Sequence, residues 1–553
     1  MNIPHPGAAT GPEDSDVIVL GSGVAANALA VVLAKHGVRV TVAAESGRQP
    51  FGRGEMLGRY SALLLRTLAA RYAVPEFAHL TSLAELTRIV GASGGMERCH
   101  GFVYHRAGQA QNPDELLQMS PPKTIPPEPS LYRPEVEEYL AGTAEKYGAR
   151  RLTDVRIEEV EASSEGVRVT LDGGKVLTGR YLVDAGDRNS AFAARWGLHE
   201  DPCPLSSQTR SLYTHMRGVR SFDDVFGGEA YQAPTPWHEG SVRHLFDGGW
   251  LEIFDFGNRP ESTNHTQSVC LNLDAVRFPA GASPEADFQD FLARFPSIAP
   301  LFEKAEPTGP WLTEERQQYV CATTVGPRWC VIGEAAGYVD PWLNRGLITS
   351  LEQVNALAWR LLDAVRDGDF ATERFAAMHR ITRRLLAGDD RVVSLITASL
   401  TDHALWRSAL SVFETGLRFG QFVMQRAANT LLETGSDEEV RALEDIEFFG
   451  SVFPGHAGYN ELLNNAVAEC AAAAEGRRKP QEAADTLLRW LHEADWVPDF
   501  FVLDTSARFP HLTPKDLQAL EQWARGDAPA DVGALALTAI ETLKKQAMAA
   551  QRQ

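Results

Sequence analysis

The sequence predicts a mixed α/β fold, α+β overall: a doubly wound parallel-sheet core, a β-sheet inserted into it and a helical C-terminal region. Three observations carry this. The first is Val17-Ile-Val-Leu-Gly21-Ser-Gly23-Val-Ala-Ala26, an apolar run that breaks into glycines. A helical pattern to His36 follows, then a second apolar run, Val38 to Ala44, ending at Glu45. The second lies far downstream, where Cys330-Val-Ile-Gly333-Glu334-Ala-Ala-Gly337-Tyr-Val-Asp340-Pro341 reads as a late buried strand with its own glycine turn. The third is the helical periodicity that dominates from Leu347 onward.

Strand, glycine turn, helix, strand and acid, in that order, form a dinucleotide fingerprint. Gly21 and Gly23 let backbone approach a pyrophosphate, Ala26 stands at the third small-residue position, and the helix N-terminus supplies free N–H groups. Glu45 stands at the distance expected for a ribose 2′-hydroxyl. This motif alone does not separate NAD from FAD. The downstream segment resembles the one with which glutathione-reductase-type flavoproteins hold the ribityl chain and flavin pyrophosphate. That resemblance implies FAD, with Gly333, Glu334, Gly337, Pro341, Gly346 and Leu347 on the cofactor. Arg53 either meets a flavin phosphate or is a solvated loop arginine.

The intervening chain divides by pattern. Residues 131–148 form an amphipathic helix with its apolar stripe at Val136, Tyr139, Leu140 and Ala144. Residues 155–171 alternate as strands and turn at Asp172-Gly-Gly174, and residues 179–186 form another buried strand ending in a turn. Residues 208–275 are β-rich, with Trp237, Phe246, Trp250 and Phe254 interleaved with glycine. Helices are expected over 351–365, 375–387 and 393–432, then from Leu517 to Trp523 and at the C-terminus. The expected division is a disordered leader (1–15), an FAD-binding domain (16–207 and 310–365), a β-rich substrate domain (208–309) and a helical region (366–553).

Composition bounds the function. A chain of 553 residues, 44% hydrophobic and 23% charged, is globular and long enough for two or three domains. Six cysteines without metal spacing read as reduced thiols of a cytoplasmic protein, and no metal site is expected. No apolar stretch reaches the length of a membrane span. A net charge of −20 without a basic stripe argues against nucleic acid.

Further segments resemble the flavin-dependent halogenases, the family that includes the tryptophan halogenases. Gly54-Glu55-Met56-Leu57 resembles their Gly-Glu-Ser/Ala-x element, and Leu182-Val-Asp184-Ala-Gly186 resembles Leu-Val-Asp-Ala-Ser-Gly. Gly249-Trp250-Leu251-Glu252-Ile253-Phe254-Asp255-Phe256 occupies the place of Gly-Trp-x-Trp-x-Ile-Pro-Phe. Residues 338–346 resemble Phe-x-Asp-Pro-x-x-Ser-x-Gly. The resemblance implies a flavin enzyme that makes hypohalous acid and passes it to an essential lysine.

Three departures fall where that chemistry happens. The nearest equivalent of the lysine segment is Gly95-Met-Glu97-Arg98-Cys-His100-Gly-Phe102, and no lysine lies between Lys35 and Lys123. Neither a carboxylate nor a guanidinium replaces an amine there. In the tryptophan element the second tryptophan is Glu252, the isoleucine Phe254 and the proline Asp255; in the last motif the serine is Asn344.

The expected function is therefore an FAD-dependent oxygenase or oxidase of specialised metabolism that no longer halogenates. Its substrate is a small molecule, free or carrier-bound, and its electrons are expected from a separate flavin reductase or from NAD(P)H. Glu252, Asp255, Glu55 and Glu97 are the candidate acids and bases; His100, Phe102, Trp250, Phe254, Trp342 and Asn344 are candidates for the substrate pocket. Glu55 serves equally as a helix-start cap, and the two strand acids equally as surface carboxylates. Two alternatives stand beside this: a halogenase, lysine-free or using another lysine such as Lys123, and a flavin-binding protein with a non-redox role.

Overall fold

The computed structural model describes residues 14–46, 55–121, 125–446, 452–503, 506–510 and 513–550. They fall into two compact units. One is drawn from Met1–Thr81, Tyr132–Leu205 and Gln318–Asp389, the other from Ser82–Leu131, Ser206–Gln317 and Asp390–Gln553.

The first unit is built on an eight-stranded sheet. Asp14–Leu20 lies at its centre, parallel to Val40–Glu45 on one side and to Val176–Asp184 on the other. Trp329–Val331 and Arg150–Val155 extend the sheet outward, also parallel. Strands buried on both faces need apolar residues throughout, and Val17, Ile18, Val19, Leu182 and Val183 are all fully buried. Helix Val24–Lys35 follows the first strand, buried along Val24 to Ala34. The central strand is flanked on opposite sides by strands reached through different crossovers. Its carboxyl end is thus a switch point, where such sheets open a crevice.

The second unit holds another eight-stranded sheet, mostly antiparallel. Strands Thr209–Arg217, Gln267–Asp274, Gly249–Asp255 and Ser241–Phe246 lie side by side in that order. His100–His105 joins parallel to Ser241–Phe246. One face is apolar: Leu212, Met216, Leu251, Val269 and Leu271 pack with Phe288, Phe291 and Phe295. Because successive side chains alternate, the residues between them point to the opposite face.

Two helix boundaries differ from the expected ones. The periodicity separates 375–387 from 393–432, whereas the chain runs as one helix, Thr372–Ser399, and restarts as His403–Thr434. Gly388 inside a helix costs only about 1 kcal/mol, which packing absorbs. The break comes instead at Asp402, whose carboxylate accepts from the backbone N–H of Ala404 and Leu405. All six cysteines are free, five of them buried.

Candidate active site

A cavity opens at the switch point of the first unit. It is lined by residues 22–25, Arg133, residues 185–187, Glu334, Tyr338, Pro341, Asn344, Gly346, Leu347 and Ser350. Two helices start there, Val24–Lys35 and Arg345–Asp367, and neither N-cap residue makes a side-chain capping bond. Their first N–H groups and positive dipole ends are thus available to an anion. Gly21 is held at φ +111°, and a Cβ there would stand 2.5 Å from the Ala185 carbonyl oxygen. Gly333, also in the left-handed region at φ +62°, lines an adjoining cavity with Glu334, Gly337, Gly346 and Asp389.

Buried charges shape these walls. Burial opposes the charge of Arg133, but Glu137, Glu334 and Glu55 outweigh it and hold the guanidinium cationic; its Nη2 donates to Glu137 Oε1 at 2.8 Å. Asp184 accepts from Ser190 Oγ at 2.7 Å, Ala193 N at 2.9 Å and Gly186 N at 3.1 Å, which fixes the wall at 185–187. Burial pushes its pKa up to about 6 against those bonds. Leu343 and Asn344 both adopt left-handed backbone, and Asn344 Nδ2 donates to the carbonyl of Met56. Arg345 is ion-paired to Asp389, which also accepts from Thr349 Oγ1 at 2.9 Å. Two bare helix starts, glycine turns and a buried guanidinium make a cradle that fits a diphosphate.

The second unit gathers polar side chains on the face of its sheet opposite the apolar core. Cross-strand register aligns Phe102 with Arg243, Arg243 with Glu252, Glu252 with Cys270 and Cys270 with Tyr213. Arg243 is fully buried and meets Glu252 at 2.5 Å. Its guanidinium lies 5.4 Å from the Phe102 ring centroid and 5.9 Å from that of Phe254, and it donates to Ser241 Oγ at 3.2 Å. Ser241 in turn donates to Glu97 Oε1 through its N–H at 3.0 Å and through its hydroxyl. His100 Nδ1 stands 3.0 Å from the same oxygen. Burial raises the pKa of Glu252, Arg243 lowers it, and Glu97 raises it again.

The expected residues thus separate by place. Gly23, Glu334, Pro341, Gly346 and Leu347 line the first cavity and Gly333 and Gly337 the second, while Gly21 and Ala26 shape the turn and the helix packing beside them. Glu45 ends its strand and pairs with Arg195 at 3.3 Å. Arg53 and Lys123 lie outside the described residues. Asn344 lines the first cavity, and Trp342 is buried but absent from both linings. Glu55 is buried in the first unit near Arg133. Glu97, His100, Phe102, Trp250, Glu252 and Phe254 come together in the second unit. Asp255 does not join them: it points to the other side of its strand and accepts from Gly257 N at 2.8 Å and Gln267 Nε2 at 3.0 Å, holding the turn.

Arg133 and Arg243 were not anticipated. A cation at a helix start opposes the macrodipole, and Arg133 carries that signal in its sequence position. Arg243 carries none without the strand register.

The chain is 37% identical over 492 residues to the monodechloroaminopyrrolnitrin halogenase PrnC of Pseudomonas fluorescens, covering 88% of this chain and 86% of that one. It is 32% identical over 538 residues to the tetracycline 7-halogenase of Kitasatospora aureofaciens, covering 97% of each. The chain belongs to the flavin-dependent halogenase family. No family model matches it. Among solved structures, the halogenase PltM in complex with phloroglucinol and FAD superposes with a TM-score of 0.85 at 28% identity, over 90% of this chain and all of that one. As a member, this chain is an enzyme of the FAD-dependent type. Among its described residues no helix is long and apolar enough to cross a membrane.

Proposed function

We propose that this family member binds FAD in the first unit's cavity and oxidises a small-molecule substrate with dioxygen, without transferring a halogen. The observation that carries this reading is Glu97, a buried carboxylate held by Ser241, in the segment where the family resemblance expects its lysine and where Glu97 or Arg98 takes that place.

Bound FAD supplies the electrons that activate dioxygen. Gly21, Gly23, the two helix starts and Arg133 hold its pyrophosphate, Glu45 takes the ribose and Glu334 a ribityl hydroxyl. With one dinucleotide fingerprint in the chain, electrons come from a separate flavin reductase. The substrate is a small molecule, free or carrier-bound. Glu252 accepts or returns a proton, and Arg243 fixes its carboxylate in the sheet. Glu97 has no N–H to carry an electrophilic halogen, so delivery to a substrate carbon lacks its carrier.

A second reading, halogenation by a route without that lysine, is favoured by the names of the relatives at 37% and 32% identity. One experiment separates the two. Photoreduced holoenzyme receives oxygen and bromide in the presence of phloroglucinol, and products are read by mass spectrometry. Free hypobromous acid brominates this probe in solution, so it need not fit the site. No brominated product is expected; bromination that persists in the presence of catalase would restore the halogenase.

A further inference from the structure

The two oxygens of Glu97 have different surroundings. Oε1 takes both donors of Ser241 and faces His100. Oε2 is shielded from solvent and has no hydrogen-bond partner among the described residues, on a side chain only 2% exposed. A buried carboxylate oxygen without a donor is costly, and more so when charged. The Arg243 guanidinium meets Glu252 and donates to Ser241 Oγ, not to Glu97 Oε2.

The charge count points the same way. Glu97 and Glu252 are two carboxylates around the single guanidinium of Arg243, linked through Ser241, and the His100 imidazole stands at Oε1. A neutral hydroxyl would fill Oε2 yet leave the extra negative charge. The described residues hold no group of three or more His, Cys, Asp or Glu placed to bind a metal ion. Aromatic rings flank the cluster: Phe102 packs against Trp406 at 5.2 Å between centroids, and the buried indole Nε1 of Trp406 has no hydrogen-bond partner among the described residues. Ring faces favour a cation in such surroundings.

We propose that this face of the second unit is a subsite for a basic nitrogen, with Glu97 Oε2 accepting an N–H from an ammonium group of the substrate. The site therefore selects amine-bearing small molecules and disfavours their carboxylate or neutral analogues. Its position beside Glu252 places the reacting part of such a molecule near the proposed proton carrier. This deepens the proposed function, resting on the reading that position 97 faces the substrate, and does not depend on whether a halogen is transferred.

The test uses oxidised holoenzyme without turnover. Benzylammonium, benzyl alcohol and benzoate are titrated at neutral pH and followed by ligand-observed saturation-transfer NMR. Benzylammonium is expected to bind at least about tenfold tighter than benzyl alcohol, with benzoate weakest. Glu97→Gln should weaken benzylammonium by about ten- to a hundredfold, the range of one charge-assisted hydrogen bond. Glu97→Asp, which keeps the charge, should weaken it less, and Asp255→Asn should leave it unchanged. FAD content and melting temperature report whether each variant folds; if Glu97→Gln does not, Ser241→Ala replaces it and should also weaken binding. No benzylammonium binding to the wild type, equal binding to wild type and variant, or preference for benzyl alcohol overturns the proposal. Bromination of phloroglucinol together with intact amine selectivity would remove the oxygenase reading and leave this subsite standing.

Discussion

Arg243 and Glu252 face each other across adjacent antiparallel strands, guanidinium to carboxylate at 2.5 Å, with the arginine wholly enclosed. A buried pair of this kind is costly to break one partner at a time and cheap to replace whole, because the lone survivor stays uncompensated. Arg243→Met should therefore destabilise by about 3–5 kcal/mol. Arg243→Met with Glu252→Met should recover most of that loss in urea unfolding. Equal destabilisation by single and double variants would mean the pair is not the coupled unit described.

Turnover should separate the two strand acids. Glu252→Gln should lower the rate about 10²-fold or more at unchanged FAD loading, the usual loss for a positioned acid or base. Asp255→Asn should leave turnover near wild type, since that carboxylate holds a turn. The reverse ranking would move the proton carrier to the other side of the strand.

Gly21→Ala should strip FAD from the purified protein, since a methyl would collide with the Ala185 carbonyl at a φ that disfavours side chains. Arg133→Met should lower FAD retention by removing one charge-assisted bond, worth about 1.5–3 kcal/mol. Flavin absorbance per protein after gel filtration reads both, and full loading of both would remove the pyrophosphate assignment.

Acid should weaken the second unit through its buried histidines. Burial holds the His244 pKa down at about 3, and burial and His244 push His105 well below its ordinary value. The two rings meet at 2.9 Å. The unfolded chain binds protons near pH 6.5 and the folded chain does not, so stability is present above that pH and lost as pH falls below it. Each such histidine contributes up to about 1.4 kcal/mol per pH unit. His244→Gln should give a shallower decline of the melting temperature between pH 6.5 and 4.5; an identical decline would mean the ring is protonated when folded.

Where the chain could be read locally, the sequence and the structure agree: the strand–glycine–helix start, the late glycine turn and the long C-terminal helices are set by neighbours within a few turns. The helix break moved from Gly388 to Asp402 because a capping carboxylate is a stronger signal than one flexible residue. Glu97 and Glu252 could be named as departures from a motif, but their partnership could not. It depends on His100–His105 entering the sheet beside Ser241–Phe246, a pairing across a long stretch of chain that no local pattern encodes. Strand alternation alone sets Asp255 on the face opposite Glu252, Trp250 and Phe254; what no local pattern gives is the turn that its carboxylate holds.

The sheet of the second unit gives each of its strands two grammars. Along Gly249–Asp255, Leu251 and Ile253 answer to the packed phenylalanines, while Trp250, Glu252 and Phe254 answer to whatever the polar face meets. A library varying every position of this strand should therefore stripe with period two: odd positions decide how much protein a cell accumulates, even positions what that protein does. Breeding a new substrate preference is then a matter of rewriting every second letter and leaving the rest alone.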